Sequence, residues 1–167
     1  MKRLVPVLAF SLAAGAFAGS SGGAPSRLAC TAGPTTIGGA AAHAWCGPAK
    51  ATVRVAGKTY HFSHGLCQKA EGFSKGTKVL AVNIGTQTLP PSAPKSSYFG
   101  VLTDKAKAGI YHDQAVSWQV PGKGFAELTN KVVVGANLKK GTFRGQASMR
   151  INGKIKDVGV ATGSWTC

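Results

Sequence analysis

The clearest pattern in the chain is a strict alternation near its C-terminus. From Phe143 to Ile151 the odd positions are Phe143, Gly145, Ala147, Met149 and Ile151, and the even ones are Arg144, Gln146, Ser148 and Arg150. Side chains on a strand point to opposite faces in turn, so this segment reads as a half-buried strand with one dry face and one wet face. Asn152-Gly153 follows, a pair that readily takes the two positive φ angles of a tight hairpin turn. A two-residue loop there sets Ala147 opposite Val158, Gly145 opposite Val160 and Met149 opposite Lys156. The last pairing places a lysine across from an apolar residue, so a bulge that shifts the register is expected.

Short segments of the same kind, separated by Gly, Pro and Asn turn signals, recur from Lys50 onward. ATVRVA (51–56) and TYHFS (59–63) flank Gly57-Lys58 as an expected hairpin. VLAVNI (79–84), YFGVL (98–102), AVSWQV (115–120), 127–129 and 132–134 continue the series. No window holds a helical period; residues 68–73 and 103–108 are the best candidates for a short helix. Strands at this spacing predict an all-β domain over 50–167, an antiparallel β-sandwich or partly open barrel with long loops. Residues 19–49, rich in Gly, Ala, Ser, Thr and Pro, read as a flexible arm ahead of it. At 167 residues the chain is long enough for one core and too short for two ordinary domains.

The N-terminus carries a targeting pattern. Met1-Lys2-Arg3 is a basic start, Leu4 to Ala18 is apolar, and Ala16-Phe17-Ala18 supplies a small-x-small exit. The run is shorter than the roughly 20 residues a membrane helix needs. Residues 1–18 are therefore expected to be a signal peptide, and the protein secreted or held in the cell envelope, with no later transmembrane span. Arg27-Leu28-Ala29-Cys30 has the outline of a bacterial lipobox, but Arg27 stands where the lipobox leucine belongs. Cys30 is accordingly expected in a disulfide, with a lipid anchor as the alternative.

The four cysteines, Cys30, Cys46, Cys67 and Cys167, all lie beyond the expected signal. An even count in an exported chain reads as two disulfides, and three pairings are possible. Cys30 and Cys46 flank a Gly/Ala/Thr-rich stretch that could close as a small loop; Cys67 and Cys167 would then tie the C-terminus to an early strand. The absence of any C-x-x-C spacing argues against a structural zinc site.

Taken in order, Gly57-Lys58, Cys67, Ile84-Gly85, Val101-Leu102-Thr103-Asp104 and the closing Thr166-Cys167 resemble the mycobacterial cell-envelope lipoprotein antigen family over about 51–167. The resemblance implies an antiparallel β domain, an extracytoplasmic location, a Cys67–Cys167 bridge and a surface-antigen or adhesin-like role with no catalytic residues to carry over. The chain departs from that family in its poor lipobox and in its basicity.

Candidate chemistry is sparse. The carboxylates are Glu71, Asp104, Asp113, Glu127 and Asp157, none in a recognisable motif, and G-x-S-x-G, P-loop and H-E-x-x-H patterns are absent. His61 and His64 are three apart, which places them on opposite faces of a strand and argues against a shared metal. His112-Asp113 offers parts of a triad without a spacing that selects one. No enzyme activity, metal or cofactor is expected; a hydrolase is the least favoured reading.

Charge changes the picture most. Lys and Arg number 20 against 5 Asp and Glu, a net charge of +15 that becomes +13 once Lys2 and Arg3 are removed with the signal. Such an excess steers anionic partners. The densest run holds Lys139, Lys140, Arg144, Arg150, Lys154 and Lys156, expected to form a basic ribbon on one sheet face. Lys outnumbers Arg, which favours diffuse attraction over bidentate recognition. No helix suits a nucleic-acid groove and no aromatics interleave with the ribbon, so sequence-specific nucleic acid is not expected. The expected partner is an anionic envelope polymer, an acidic polysaccharide or an anionic lipid surface, bound by a non-enzymatic binding or structural module. A lipid-anchored surface antigen or a carrier of an apolar ligand is the alternative. Trp118, Tyr98 and Trp45 are the residues from which a sugar-stacking platform could be assembled.

Overall fold

The computed structural model describes residues 30–72, 74–89, 94–151 and 154–167. The expected signal peptide and the Asn152-Gly153 turn lie outside those residues.

Eleven strands follow one another: β1 (Gly33–Ile37), β2 (Ala40–Ala44), β3 (Ala49–Val55), β4 (Lys58–Glu71), β5 (Lys78–Thr88), β6 (Tyr98–Leu102), β7 (Gly109–His112), β8 (Ala115–Val120), β9 (Lys123–Val134), β10 (Lys140–Ile151) and β11 (Lys154–Thr166). Every ladder between them is antiparallel. The order β5-β4-β3-β11-β10-β9-β8-β6 returns on itself because β6 also pairs with β5. The expected all-β barrel-like architecture is therefore present. β7 pairs with β9 beyond the end of β8, and β1-β2 extends the sheet beyond β5.

Alternation explains most of these strands. Along β3, Ala49, Ala51, Val53 and Val55 are buried while Lys50 and Arg54 are exposed. β10 buries Phe143 and Ala147 and exposes Arg144 and Arg150. The interior is filled by rings in sequence: Phe62 against Phe99 at 5.8 Å, Phe99 against Phe143 at 5.7 Å, Phe143 against Trp118 at 6.1 Å, Trp118 against Phe125 at 5.2 Å and Phe125 against Tyr60 at 5.9 Å. These spacings suit offset stacking and tilted packing. A cavity for an apolar ligand would have to displace this row.

Two large rings lie over glycines on the neighbouring strand. Phe143 pairs with Gly163, and Trp165 pairs with Gly141. A Cβ on Gly163 would overlap the Phe143 ring, and one on Gly141 would overlap the Trp165 ring. The missing side chains are what let both rings occupy the space across the strand pair.

Both cysteine pairs form: Cys30–Cys46 and Cys67–Cys167, each with Cα atoms 5.7 Å apart. The second joins β4 to the residue following β11 across a separation of 100 residues, and loop-closure entropy assigns such a bridge roughly 4–5 kcal/mol.

Several sequence expectations need correction. Residues 33–44 of the expected arm form the β1-β2 hairpin. Gly38 and Gly39 supply its positive-φ turn (53° and 80°), β2 pairs with β5 at Thr86–Thr88, and Cys30–Cys46 closes its base. Neither short helix forms: 68–71 belong to β4, and 104–108 are bends. Gln68–Glu71 is held extended by its ladder with Lys78–Ala81, which no local signal announces. The first hairpin turns at Ala56-Gly57, one residue earlier than expected, because φ is positive at both (48° and 72°) and Val55 pairs with Lys58. In the C-terminal hairpin Met149 does pair with Lys156, and the bulge falls between Ala147 and Ser148. Ala147 thus faces Gly159 and Gly145 faces Ala161, one residue on from the simple register.

Two expected outcomes follow. Gly163→Val should cost about 1–3 kcal/mol by overpacking Phe143, seen as a lower urea midpoint at unchanged slope. Replacing Cys67 and Cys167 together by Ala should lower stability by about 2–5 kcal/mol.

Candidate anion-binding face

The outward residues of β3, β11, β10, β9 and β7 line up by register into rows. Arg54 pairs with Thr162, Thr162 with Arg144, Arg144 with Lys131, and Lys131 with His112. Two residues along, Thr52 pairs with Ser164 and Ser164 with Thr142. Two further along, Lys50 pairs with Thr166 and Thr166 with Lys140. Strands sit about 4.8 Å apart and alternate residues about 6.8 Å apart, so two basic rows flank a hydroxyl row on one lattice. Lys50, Arg54, Lys131, Lys140 and Arg144 are all exposed.

Among the described residues no carboxylate forms an ion pair with these rows, although Asp113 lines the same depression as Lys131 and Arg144. Among the described residues the one ion pair joins Lys78 to Glu71 on another part of the barrel. Asp157 lies on the β10–β11 ribbon, but its carboxylate accepts from Gln146 Nε2 at 2.6 Å and from the Gly159 N–H at 2.7 Å. Lys131 and Arg144 face each other directly, a like-charge pair of the sort that costs about 0.2–1 kcal/mol.

Two depressions lie over this part of the sheet. One, of about 600 Å³, is lined by His112, Asp113, Lys131, Arg144, Gly145, Gln146 and Val160. The other, of about 370 Å³, lies over Val133, Lys140, Thr142, Ser164 and Thr166.

The six residues singled out by sequence do not all share this face. Lys140, Arg144 and Arg150 occupy even positions of β10 and belong to it. Lys139 precedes β10, and its carbonyl accepts from the Cys167 N–H at 2.7 Å. Lys154 and Lys156 pair with Ile151 and Met149, so they lie on the opposite side of the ribbon near its tip. The expected single-faced ribbon is corrected accordingly: Arg150 pairs with Ile155, not with a lysine. Lys50, Arg54, Lys131 and His112 were not foreseen. They come from strands remote in sequence, and only the register brings them together.

The other candidates resolve as follows. Trp118 is fully buried in the core and cannot join a platform with Trp45 and Tyr98. Trp45 packs instead against His43 at 4.5 Å and Tyr98 at 5.0 Å. His61 Nδ1 lies 3.3 Å from Thr52 Oγ1, and His64 Nδ1 lies 3.0 Å from Ser63 Oγ. No group of three or more His, Cys, Asp or Glu among the described residues could hold a metal. Asp104 and Asp113 line one depression of about 380 Å³. The Asp104 carboxylate accepts from buried Gln114 Nε2 at 3.0 Å, and that nitrogen also donates to the His112 carbonyl at 2.7 Å, an arrangement that pins the approach to β8.

Comparison with family models, curated proteins and solved structures returns no match for this chain. No helix among the described residues is long and apolar enough to cross a membrane. The two disulfides fit an oxidising, extracytoplasmic compartment.

Tyr98 carries a measurable consequence. Burial pushes its phenol up to about 12, and the phenol donates to Asn83 Oδ1 at 2.7 Å. The folded protein keeps a proton that the unfolded chain releases near pH 10. The resulting stabilisation is complete below pH 10 and is lost as pH rises from about 10 to 12, on the order of 2–3 kcal/mol in all. Denaturant midpoints should fall across that window, and Tyr98→Phe should flatten the fall.

Proposed function

We propose that the protein is an exported, non-enzymatic module that binds an anionic polymer or surface through the outer face of β3, β11, β10 and β9. The observation that carries this reading is the row Arg54–Thr162–Arg144–Lys131, three cations on four adjoining strands without a carboxylate partner among the described residues. A rigid sheet presents these charges already in place, so binding orders fewer side-chain supports than a flexible basic tail would. Hydroxyls of Thr52, Thr142 and Ser164 between the rows add hydrogen-bonding capacity. Export is supported by the two disulfides and by the N-terminal targeting pattern. The resemblance to the mycobacterial envelope antigens points the same way. In the alternative of a lipid anchor Cys30 would carry the lipid, and its sulfur is engaged with Cys46.

The test uses the oxidised protein with immobilised polyphosphate, dextran sulfate and neutral dextran. Binding to the two polyanions should fall steeply with added salt, and neutral dextran should not bind. Neutralising Arg54, Lys131 and Arg144 together to Gln should weaken polyanion binding at least about tenfold at low salt, while neutralising Lys154 and Lys156 costs much less. Equal losses from the two sets, or binding indifferent to salt, would remove the face from the account.

A further inference from the structure

The basic face is not uniform, and one place on it is a depression of about 600 Å³. Lys131 on β9 and Arg144 on β10 stand directly across from each other, and His112 on β7 stands across from Lys131 on its other side. Three nitrogen-bearing side chains thus occupy consecutive strands at one level, and all three line the same depression. The left-handed backbone of Asp113 (φ 57°) ends β7 directly after His112. Asp113 is the one acidic residue lining the depression among the described residues. Gln146, next outward on β10, is held by Asp157, and half-exposed Val160 pairs with it at the rim.

We infer that this depression is a binding site for a single tetrahedral oxyanion, a phosphoryl or sulfuryl ester group, with Arg144 and Lys131 as its principal ligands and His112 as a third donor. The inference rests on the proposed role of the outer face and names the chemical group that the face recognises. Two cations opposed across a ladder repel unless an anion lies between them. Arg144 offers a planar fork of N–H donors that matches two oxygens of such a group, and Lys131 supplies a point charge to a third. Val160 leaves apolar surface at the rim against which the carbon side of an ester can lie. A carboxylate fills the same place less well, because it has two oxygens where the three donors can serve three.

The experiment is an NMR titration of the oxidised full chain with inorganic phosphate at constant ionic strength. Saturable shifts should centre on the amides of Lys131, Arg144 and Gln146 and on the His112 ring. Lys131→Gln and Arg144→Gln should each weaken binding about tenfold or more, since each removes a charge-assisted contact. Arg144→Lys, which keeps the charge, should retain more of the affinity than Arg144→Gln, and Arg54→Gln should change it less than about twofold. Unsaturable drift spread over all the lysines, or an equal loss from Arg54→Gln, would overturn the site. Competition separates the sources: a soluble glycerol-phosphate polymer and phosphatidylglycerol vesicles are each added to the phosphate complex. Displacement by either supports the site and identifies the carrier of the group, and displacement by neither counts against it. If phosphate fails to bind while polyanions still do, the pocket falls and the face stands. If both fail, the face falls too.

Discussion

The fold turns on the pairing of β10 with β11. These two strands carry the longest ladder of the barrel, with one bulge between Ala147 and Ser148, and the rings of Phe143 and Trp165 cross it over Gly163 and Gly141. Phe143 then touches both Phe99 and Trp118, which places it at the middle of the aromatic row. β11 hands the ladder on to β3 and β10 hands it on to β9, so the ring cannot close unless this pair is in register. The Cys67–Cys167 bridge fastens the end of β11 to β4, two strands away.

The same register writes the outer surface. Because side chains alternate with period 2, fixing Phe143 and Ala147 inward fixes Arg144 outward, and the partner strands follow. Arg54, Thr162, Arg144, Lys131 and His112 then fall at one level although they are scattered between 54 and 162 in the sequence. Like-charge neighbours on a sheet cost a few tenths of a kcal/mol to about 1 kcal/mol each. That is small against the burial of one large aromatic ring, about 150–250 Å² at roughly 25 cal/mol per Å². The core can therefore hold in place a surface on which like charges face each other.

Much of the fold is legible in the chain. The alternation at 143–151, the short strands and the even cysteine count lead to an antiparallel β domain with two disulfides. Two kinds of feature are not legible. The first is structure imposed by distant partners. The β1-β2 hairpin has Gly/Ala/Thr-rich strands that look like linker, and it is held by β5 and by Cys46. Likewise Gln68–Glu71 has no strand signal of its own and is kept extended by β5. The second is lateral alignment across strands. Lys154 and Lys156 are close to Arg150 in sequence yet lie on the other side of the ribbon, whereas Lys131 and Arg54 are remote and share its face. Local charge density in the sequence does not tell which basic residues share a face.

The claim on which the rest stands is that Lys131 and Arg144 face each other across the ladder with no ion-pair partner among the described residues. A double-mutant cycle of folding stability at low salt tests it most directly, using Lys131→Gln, Arg144→Gln and the pair. The account predicts that each single change stabilises the free protein, that the pair gains less than the sum because one repulsion is removed once, and that the coupling of about 0.2–1 kcal/mol fades as salt is raised. Additive effects, or a coupling of attractive sign, would contradict it.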